Sequence, residues 1–209
     1  MKLINYNYEF DSGGNLPKNA LENAIKTYEK IEGKINSKYG QMPDCPIINT
    51  QLKLAILINT LGDLKGKTIL DIGCGAKNSW DYRDLGLAKV ERFYDPWLCR
   101  ITHELGAKVF GIDGASSPDE KYNHIQQNLL SFEEIMEKFK DDSLDLACAW
   151  SLFDSPSLYD GRDMFKRAVK GLERKVKLEG FFVFEAIGTG LLERVCWENY
   201  LVTRKNQTQ

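Results

Sequence analysis

The chain has 209 residues, of which 43% are hydrophobic and 28% are charged, and its formal net charge is −2 at pH 7. These values are those of one ordinary globular domain with a full hydrophobic core. The near-neutral charge gives no general attraction to nucleic acid or to an anionic membrane surface. No signal segment or long apolar stretch is present, and the five cysteines are scattered without a Cys-x-x-Cys pair. We therefore expect a cytoplasmic protein with free thiols that neither is secreted nor spans a membrane.

The N-terminal third of the chain is predicted to be helical. The first 15 residues are polar and contain no clear structural signal, but Leu16 to Tyr39 has apolar residues at helical spacing. A glycine and two prolines interrupt this pattern, and a second helix is predicted from about Thr50 to Leu61. We expect residues 1–62 to form an N-terminal helical extension that caps a Rossmann-like domain over residues 63–209.

Strand and helix patterns then alternate along the chain. Apolar runs predict five strands, at Thr68–Ile72, Lys108–Asp113, Tyr122–Gln127, Leu144–Trp150 and Gly180–Ile187. Helices are predicted from Asp95-Pro96, over Phe132–Lys140 and over Arg162–Lys177. The final segment, Leu191 to Lys205, ends in a strand that reads Tyr-Leu-Val-Thr-Arg. Such alternation predicts a parallel sheet with helices on both faces.

Two of these strands end in residues that suit a ligand. Lys67 to Gly75 reads Lys-Thr-Ile-Leu-Asp-Ile-Gly-Cys-Gly, a buried strand followed by two glycines that let the backbone turn and approach a ligand closely. About 40 residues later a second strand ends at Asp113, between Gly111 and Gly114. A carboxylate in that place can accept hydrogen bonds from both hydroxyls of a ribose.

Over about Lys65 to Ile187, these stretches resemble motif I and the ribose-binding acid of class I S-adenosylmethionine-dependent methyltransferases. The resemblance implies an α/β fold with a doubly wound, mostly parallel sheet, trimmed at its C-terminal edge because the chain is short after the fifth strand. It implies S-adenosyl-L-methionine as cofactor and N-terminal helices over the cofactor pocket. It also implies methyl transfer to an N, O, S or C atom of an acceptor, here expected to be a small molecule.

The resemblance also indicates which residues would bind the cofactor. Asn128, after the third strand, stands where the family accepts the adenine amino group, and the stretch from Trp150 stands where motif IV lies between cofactor and acceptor. The candidate cofactor residues are Asp71, Gly73, Cys74, Gly75, Asp113, Gly114, Asn128, Leu129, Trp150 and Ser151.

The chain departs from the family pattern after the glycine loop. The gap to Asp113 is nearly twice the usual one, and the extra segment, Ala76 to Phe93, contains Trp80 and Tyr82 beside charged residues. Two interpretations of this segment are open: a lid that orders over a ligand, or a surface excursion packed on the N-terminal helices.

Two other functional classes are weighed against methyl transfer. A nicotinamide-dependent Rossmann oxidoreductase would require a third glycine and a free helix N-terminus for the pyrophosphate, but Ala-Lys-Asn-Ser follows Gly75. The next helix starts at Asp95, a natural N-cap with Pro96 after it, and a carboxylate there would oppose a phosphate. The other alternative is a non-catalytic protein of the S-adenosylmethionine-binding fold.

The sequence identifies no general base, nucleophile motif or metal cluster. His103 and His124 are the only histidines, and His103, in the helix predicted from Pro96, is expected to pack or to lie at the surface. The basic residues of the helix predicted over Arg162–Lys177 are expected to form a solvated face, with steering of an anionic acceptor as the alternative.

Overall fold

The computed structural model describes residues 2–6, 19–77, 94–150, 152, 161–185 and 200–204. Within these ranges the chain forms seven strands and five helices. The strands are β1 (Lys2–Tyr6), β2 (Thr68–Ile72), β3 (Lys108–Asp113), β4 (Asn123–Gln126), β5 (Leu144–Trp150), β6 (Val176–Glu185) and β7 (Tyr200–Arg204). The helices are α1 (Ala20–Tyr39), α2 (Asp44–Leu61), α3 (Trp97–Glu104), α4 (Phe132–Glu137) and α5 (Gly161–Lys175).

All seven strands belong to one sheet, in the order β1-β7-β6-β5-β2-β3-β4. The strands from β2 to β6 are mutually parallel, and they are the five strands that the sequence predicts. Strand β7 is antiparallel to both of its neighbours, β6 and β1. The predicted α/β fold with a mostly parallel sheet is therefore confirmed.

Helices cover both faces of this sheet. Because successive strand residues point to opposite faces, Ile69 and Val183 join one apolar core with α1, α2 and α3. Their neighbours Leu70 and Phe182 join a second core with α4 and α5. The sheet is thus doubly wound, as predicted, and the N-terminal helices share a core with its central strands.

Helix α2 begins six residues earlier than the sequence analysis predicts. It starts at Asp44, so Pro46 lies inside its first turn and not in an interruption before it. The first backbone N–H groups of a helix have no partner within the helix, so a proline there removes no hydrogen bond. This correction places the start of α2 beside the candidate site described below.

The N-terminal residues supply a strand that the sequence analysis does not predict. Lys2–Tyr6 pairs with Tyr200–Arg204 over five residues of each strand. The strand predicted at the end of the chain is present as β7, and β1 gives the sheet its seventh strand at the same edge. A domain boundary at residue 62 remains a prediction, although residues before it contribute to the sheet.

The junction between α5 and β6 also differs from the prediction. Helix α5 ends at Lys175 and β6 begins at the next residue, four positions before the predicted start. Between the partners of Leu144 and Leu146 the register shifts, and Glu179 has a positive φ of 71°. An irregularity of this kind interrupts the residue pattern of a strand, so the first residues of β6 could not be recognised from the sequence. None of the described helices has the length and apolar character needed to cross a membrane.

Candidate functional site

A tight loop follows strand β2 at residues 73–75. Gly73 and Gly75 have φ values of 72° and 84°, a region that glycine enters without the steric penalty of a side chain. The N–H groups of Gly73 and Cys74 donate to the carbonyl oxygen of Ile112, at 2.8 and 3.1 Å. The glycine loop, defined as residues 73–75, is thereby fastened to the end of β3.

The glycine loop lies at the point where the order of the sheet reverses. From β2 the chain adds β3 and β4 on one side, and then β5 and β6 on the other. In open α/β sheets a crevice forms at the carboxyl ends of the strands at this reversal, and ligands bind there. A cleft of about 150 Å³ is found at this place, lined by β2, the glycine loop and Trp150 at the end of β5.

Asp71 is a buried acid in this cleft. Only 3% of the residue is exposed, and thiols of Cys99 and Cys148 donate to its two carboxylate oxygens at 3.5 and 3.6 Å. Burial raises the pKa of Asp71 from 3.8 to about 6, although the positive charge of Lys53 and the thiol hydrogen bonds oppose that rise. At pH 7 most molecules therefore carry an ionised carboxylate in the wall of the cleft.

Asp113 holds the glycine loop from the neighbouring strand. Its two carboxylate oxygens accept hydrogen bonds from the N–H groups of Gly75 and Ala115, each at 3.0 Å. The side chain is half-buried, so solvent still reaches it. A carboxylate has about four acceptor positions, so Asp113 can bind the loop and still accept from a ligand hydroxyl.

The two glycines that flank Asp113 have different surroundings. A side chain at Gly111 would collide with Tyr122, Cys74 and Cys99, so that glycine is required by packing and is not open to a sugar. Nothing lies within 4 Å of the place where a side chain at Gly114 would begin. Of the two, only Gly114 leaves room for close approach of a ligand.

Cys74 is half-buried in the glycine loop. Its thiol donates to the carbonyl oxygen of Gly75 at 3.2 Å and lies 4.0 Å from Nδ1 of His124. Burial raises the pKa of the Cys74 thiol, so this cysteine is a poor nucleophile. Among the described residues, no group of His, Cys, Asp and Glu side chains could hold a metal ion.

Helix α2 forms a second wall of the cleft. Its polar side chains there are spaced at helical intervals and belong to Asn49, Thr50 and Lys53. The Lys53 Nζ lies 5.5 Å from the ring centroid of Trp150, at which distance a cation is attracted to the ring. The cleft therefore combines an anionic group, a cationic group and aromatic surface.

The segment before α3 closes the cleft on a third side. A side chain at Gly75 would collide with the backbone carbonyl of Tyr94, so this segment packs directly on the glycine loop. Asp95 lines the cleft, but the prediction that it caps α3 is wrong. The N-cap residue is Pro96, and no side-chain cap is formed. The Asp95 carboxylate instead accepts from Nη1 of Arg100 at 2.7 Å.

Arg100 is the centre of a buried ionic network. Its side chain is 3% exposed, and besides Asp95 it binds Glu120, which accepts from Nε and Nη2 at 2.6–3.1 Å. The guanidinium also lies over the rings of Tyr39 and Trp97, with its carbon 4.8 and 4.7 Å from the two centroids. These contacts join α1, the start of α3 and the loop after β3, and they fix the wall of the cleft near Tyr94.

The structure brings some of the predicted cofactor residues together. Five of them line the cleft: Asp71, Gly73, Cys74, Gly75 and Trp150. Asp113 adjoins it through the hydrogen bond to the glycine loop, and Gly114 is the next residue of the chain. Asn128 and Leu129 lie further along the sheet edge, where the Asn128 amide oxygen accepts from the N–H of Leu130 at 3.0 Å. Ser151 and residues 78–93 of the predicted insert lie outside the described residues.

Two features of the site were missed by the sequence analysis. The first is Lys53, although a signal exists: it is the one basic residue within α2, among mostly apolar neighbours. The second is the network around Arg100, whose members are 5 and 20 residues from it along the chain and have no motif spacing. Only the tertiary structure brings them together.

The two histidines and the basic residues of α5 make local contacts. His103 lies half-buried in the last turn of α3, and Nε2 of His124 lies 3.1 Å from the carbonyl oxygen of Ala115. The basic residues of α5 and the start of β6 largely pair with acids of α4, of the segment before β5 and of β5, in the pairs Arg167–Glu133, Arg174–Asp141, Lys175–Asp141 and Lys177–Asp145. These pairs agree with a solvated ionic surface.

No protein-family model matches the chain, and no curated protein matches its sequence. Solved structures do resemble it. A putative S-adenosylmethionine-dependent methyltransferase from Listeria monocytogenes is 22% identical over 65% of this chain and 52% of its own, with a TM-score of 0.40. Phosphoethanolamine N-methyltransferase 1 of Haemonchus contortus, solved with phosphoethanolamine and S-adenosylhomocysteine, is 14% identical over 86% of this chain and 35% of its own, with a TM-score of 0.47.

A TehB-like S-adenosylmethionine-dependent methyltransferase from Corynebacterium glutamicum has a more similar length. It is 16% identical over 87% of this chain and 95% of its own, with a TM-score of 0.44. The chain thus spans about half the length of the Listeria protein and about a third of the Haemonchus protein. These structures belong to the class that the sequence motifs resemble. At these values the likeness is one of fold, so function has to be argued from this chain's own residues.

Proposed function

We propose that this protein is an S-adenosyl-L-methionine-dependent methyltransferase that acts on a small-molecule acceptor. One observation carries the proposal: the motif I residues and Trp150 surround a single cleft at the carboxyl ends of β2 and β5, where the sheet order reverses. The remainder of the site can be tested against the chemistry of the cofactor.

The groups around the cleft fit S-adenosylmethionine in charge and in shape. The cofactor carries an ammonium and a sulfonium group, and the Asp71 carboxylate in the cleft wall favours positive charge nearby. The half-buried Asp113 carboxylate, at the end of the neighbouring strand, would accept from the ribose hydroxyls. The indole of Trp150 offers an aromatic surface to a sulfonium or an adenine ring.

The same groups do not suit the pyrophosphate of a nicotinamide cofactor. Two carboxylates, Asp71 and Asp113, lie beside the glycine loop, and like charge would oppose a phosphate. The Gly73 and Cys74 N–H groups already donate to Ile112, and the first N–H of α3, on Trp97, donates to the Asp95 carbonyl oxygen at 2.7 Å. Backbone donors of this kind are the ones a dinucleotide site requires.

Bound S-adenosylmethionine would supply a methyl group that its sulfonium makes reactive. The protein's own contribution would be alignment and the exclusion of water. The glycine loop, held by Asp113, would fix the position of the cofactor, and the wall formed by α2 would enclose the acceptor over it. The buried network around Arg100 would keep Tyr94 and Trp97 in place beside the reacting groups.

A ligand titration separates this proposal from its alternatives. We expect S-adenosylhomocysteine to raise the free energy of unfolding by about 2.7 kcal/mol at a hundred times its Kd. NAD and NADP, measured in parallel by thermal unfolding, should give no shift. A shift with NAD and none with S-adenosylhomocysteine would replace the methyltransferase by an oxidoreductase.

Activity requires a second measurement, because a non-catalytic binding protein would also bind the cofactor. The protein is incubated with S-adenosylmethionine carrying a labelled methyl group and with fractions of small molecules, and labelled products are detected by mass spectrometry. We expect a labelled product that is lost in the Asp113→Ala variant. Binding of S-adenosylhomocysteine without any product across the fractions would indicate the binding-protein alternative.

A further inference from the structure

The wall of the cleft that α2 forms carries three polar side chains that make no side-chain hydrogen bond to any residue the structure describes. Asn49, Thr50 and Lys53 all line the cleft. Within the described parts of the chain none of the three makes a side-chain hydrogen bond or a salt bridge. Lys53 lies over the Trp150 ring and interacts electrostatically with Asp71. Polar groups that line a partly enclosed cleft are normally satisfied, so this wall has the character of a binding surface.

These three side chains share one chemical property. The ammonium of a lysine, the amide nitrogen of an asparagine and the hydroxyl of a threonine can all donate hydrogen bonds. Positions 49, 50 and 53 lie on one face of a helix, because residues three and four apart are neighbours there. A group with several acceptor oxygens, such as a carboxylate or a phosphate, matches such a face.

The charges around the cleft favour an anion on this wall. Lys53 is half-buried, and no carboxylate of the described residues lies within 4.0 Å of its Nζ. Two carboxylates line the same cleft: that of Asp95 is paired with Arg100, and that of Asp71, which interacts electrostatically with Lys53, accepts from the thiols of Cys99 and Cys148. When S-adenosylmethionine is bound, its sulfonium adds a further positive charge, which attracts an anion across the cleft.

Resting on the function proposed above, we infer that α2 binds the methyl acceptor and that this acceptor is a small molecule with a carboxylate or phosphate group. Lys53 pairs with that group, while Asn49 and Thr50 donate to its oxygens. The glycine-loop wall binds the cofactor, so donor and acceptor occupy facing walls. Trp97, Leu98 and Trp150 provide apolar surface for the rest of the acceptor.

Calorimetry on the full chain saturated with S-adenosylhomocysteine tests this inference. Benzoate and inorganic phosphate are the two anionic probes, and benzamide is the uncharged counterpart of benzoate. We expect at least one anion to bind at least about tenfold more tightly than benzamide, as a charge-assisted hydrogen bond requires. The anion that binds with the higher affinity shows whether the wall prefers a carboxylate or a phosphate. The inference is overturned if neither anion binds, or if neither binds more tightly than benzamide.

Variants locate the anion. Lys53→Met keeps the apolar stem on Trp150 and removes the charge, and we expect it to weaken anion binding at least about tenfold. Asn49→Ala removes no charge and should weaken anion binding less than Lys53→Met does. This variant tests the inference if Lys53→Met fails to fold. Lys166→Met, an exposed lysine of α5, is the matched control and should change nothing.

The affinity for S-adenosylhomocysteine is measured first in each protein. It should change by less than about threefold in Lys53→Met, since the inference assigns this lysine to the acceptor. A loss of cofactor affinity equal to the loss of anion affinity would assign Lys53 to the cofactor's own carboxylate and overturn the inference. If the unaltered protein does not bind S-adenosylhomocysteine at all, the proposed function fails, and this inference fails with it.

Discussion

At the scale of single residues, the site depends on two acids with different surroundings. Asp71 is buried among thiols, whereas Asp113 is half-exposed and bonded to backbone N–H groups. Burial penalises the charge on Asp71, whereas the Asp113 carboxylate holds the N–H groups of Gly75 and Ala115. Each acid therefore gives a distinct prediction.

Replacement of Asp113 by alanine should weaken S-adenosylhomocysteine binding by about 1.5–3 kcal/mol, because a charged acceptor for ribose hydroxyls is lost. Calorimetry measures the affinity, and thermal unfolding shows whether the fold is intact. The matched control is Asp119→Ala, whose side chain is 78% exposed and lies in the loop that follows β3. Unchanged affinity in Asp113→Ala would show that the ribose is bound elsewhere.

Replacement of Asp71 by asparagine should change stability in a pH-dependent way. The folded-state pKa of about 6 lies above the unfolded value of 3.8. From about pH 4 to pH 6 the folded protein retains a proton that the unfolded chain has released, so this residue's contribution to stability falls as the pH rises. Asparagine has no charge and removes that dependence.

As the pH rises from 4 to 7.5, the Asp71→Asn variant should therefore become more stable relative to the unaltered protein, measured as the difference between their free energies of unfolding. The limit is roughly 3 kcal/mol, since each unit of pKa difference corresponds to about 1.36 kcal/mol. Urea denaturation at both pH values measures it, with Asp119→Asn as the exposed control. A constant difference would show that Asp71 is ionised throughout this range.

At the scale of elements, α3 is held to its neighbours by ionic contacts as well as by its apolar face. Arg100 binds Asp95 and Glu120, and Glu104 at the other end of α3 pairs with Lys34 and Lys38 of α1, at 2.6 and 2.5 Å. Asp95 and Glu120 are as buried as Arg100 itself. Removal of the arginine would therefore take away the cation that pairs with two buried carboxylates.

Arg100→Met should lower the free energy of unfolding by about 3–5 kcal/mol, the usual effect of breaking a buried ion pair from one side. Arg174→Met is the matched control, since that arginine is 75% exposed and its pair with Asp141 should contribute less than about 1 kcal/mol. Chemical denaturation measures both. Similar values for the two variants would show that water reaches the network around Arg100.

At the scale of the whole molecule, the sheet is completed from both ends of the chain. Strand β7 follows β6 antiparallel, and β1 pairs with the other side of β7. Each of these two pairings aligns five residues of each strand. Without β1, the strand β7 would be an open edge with unpaired backbone groups.

Deletion of residues 1–6 should therefore lower the urea midpoint and speed amide hydrogen exchange over Tyr200–Arg204. The loss of β1 removes the hydrogen-bond partners on one side of that strand. Deletion of residues 205–209 is the control, because it leaves every described pair of the sheet in place. Equal exchange in the two truncated proteins would show that β7 is stable without β1.

The parallel sheet and the glycine loop could both be predicted from the amino-acid sequence. Strands β2, β3 and β5 were predicted with the bounds that the structure has, because a buried parallel strand is apolar on both faces and is followed by turn residues. The turn at Gly73 and Gly75 was visible because it depends on local backbone conformation. These features are encoded in contiguous residues.

The tertiary structure alone decided the partners of those residues. In the structure α2 starts at Asp44 and β1 joins the sheet, neither of which the sequence analysis predicts. Asp95 binds Arg100 and does not cap α3, and Lys53 lies at the cleft beside Asp71. The pairing of β1 and the place of Lys53 depend on residues far apart in the chain, and the Asp95–Arg100 pair is joined by Glu120, 20 residues beyond Arg100. The interaction free energy of such residues is gained only after the elements pack. A local pattern shows that a residue is polar or apolar, but the packed fold decides which charge lies opposite it.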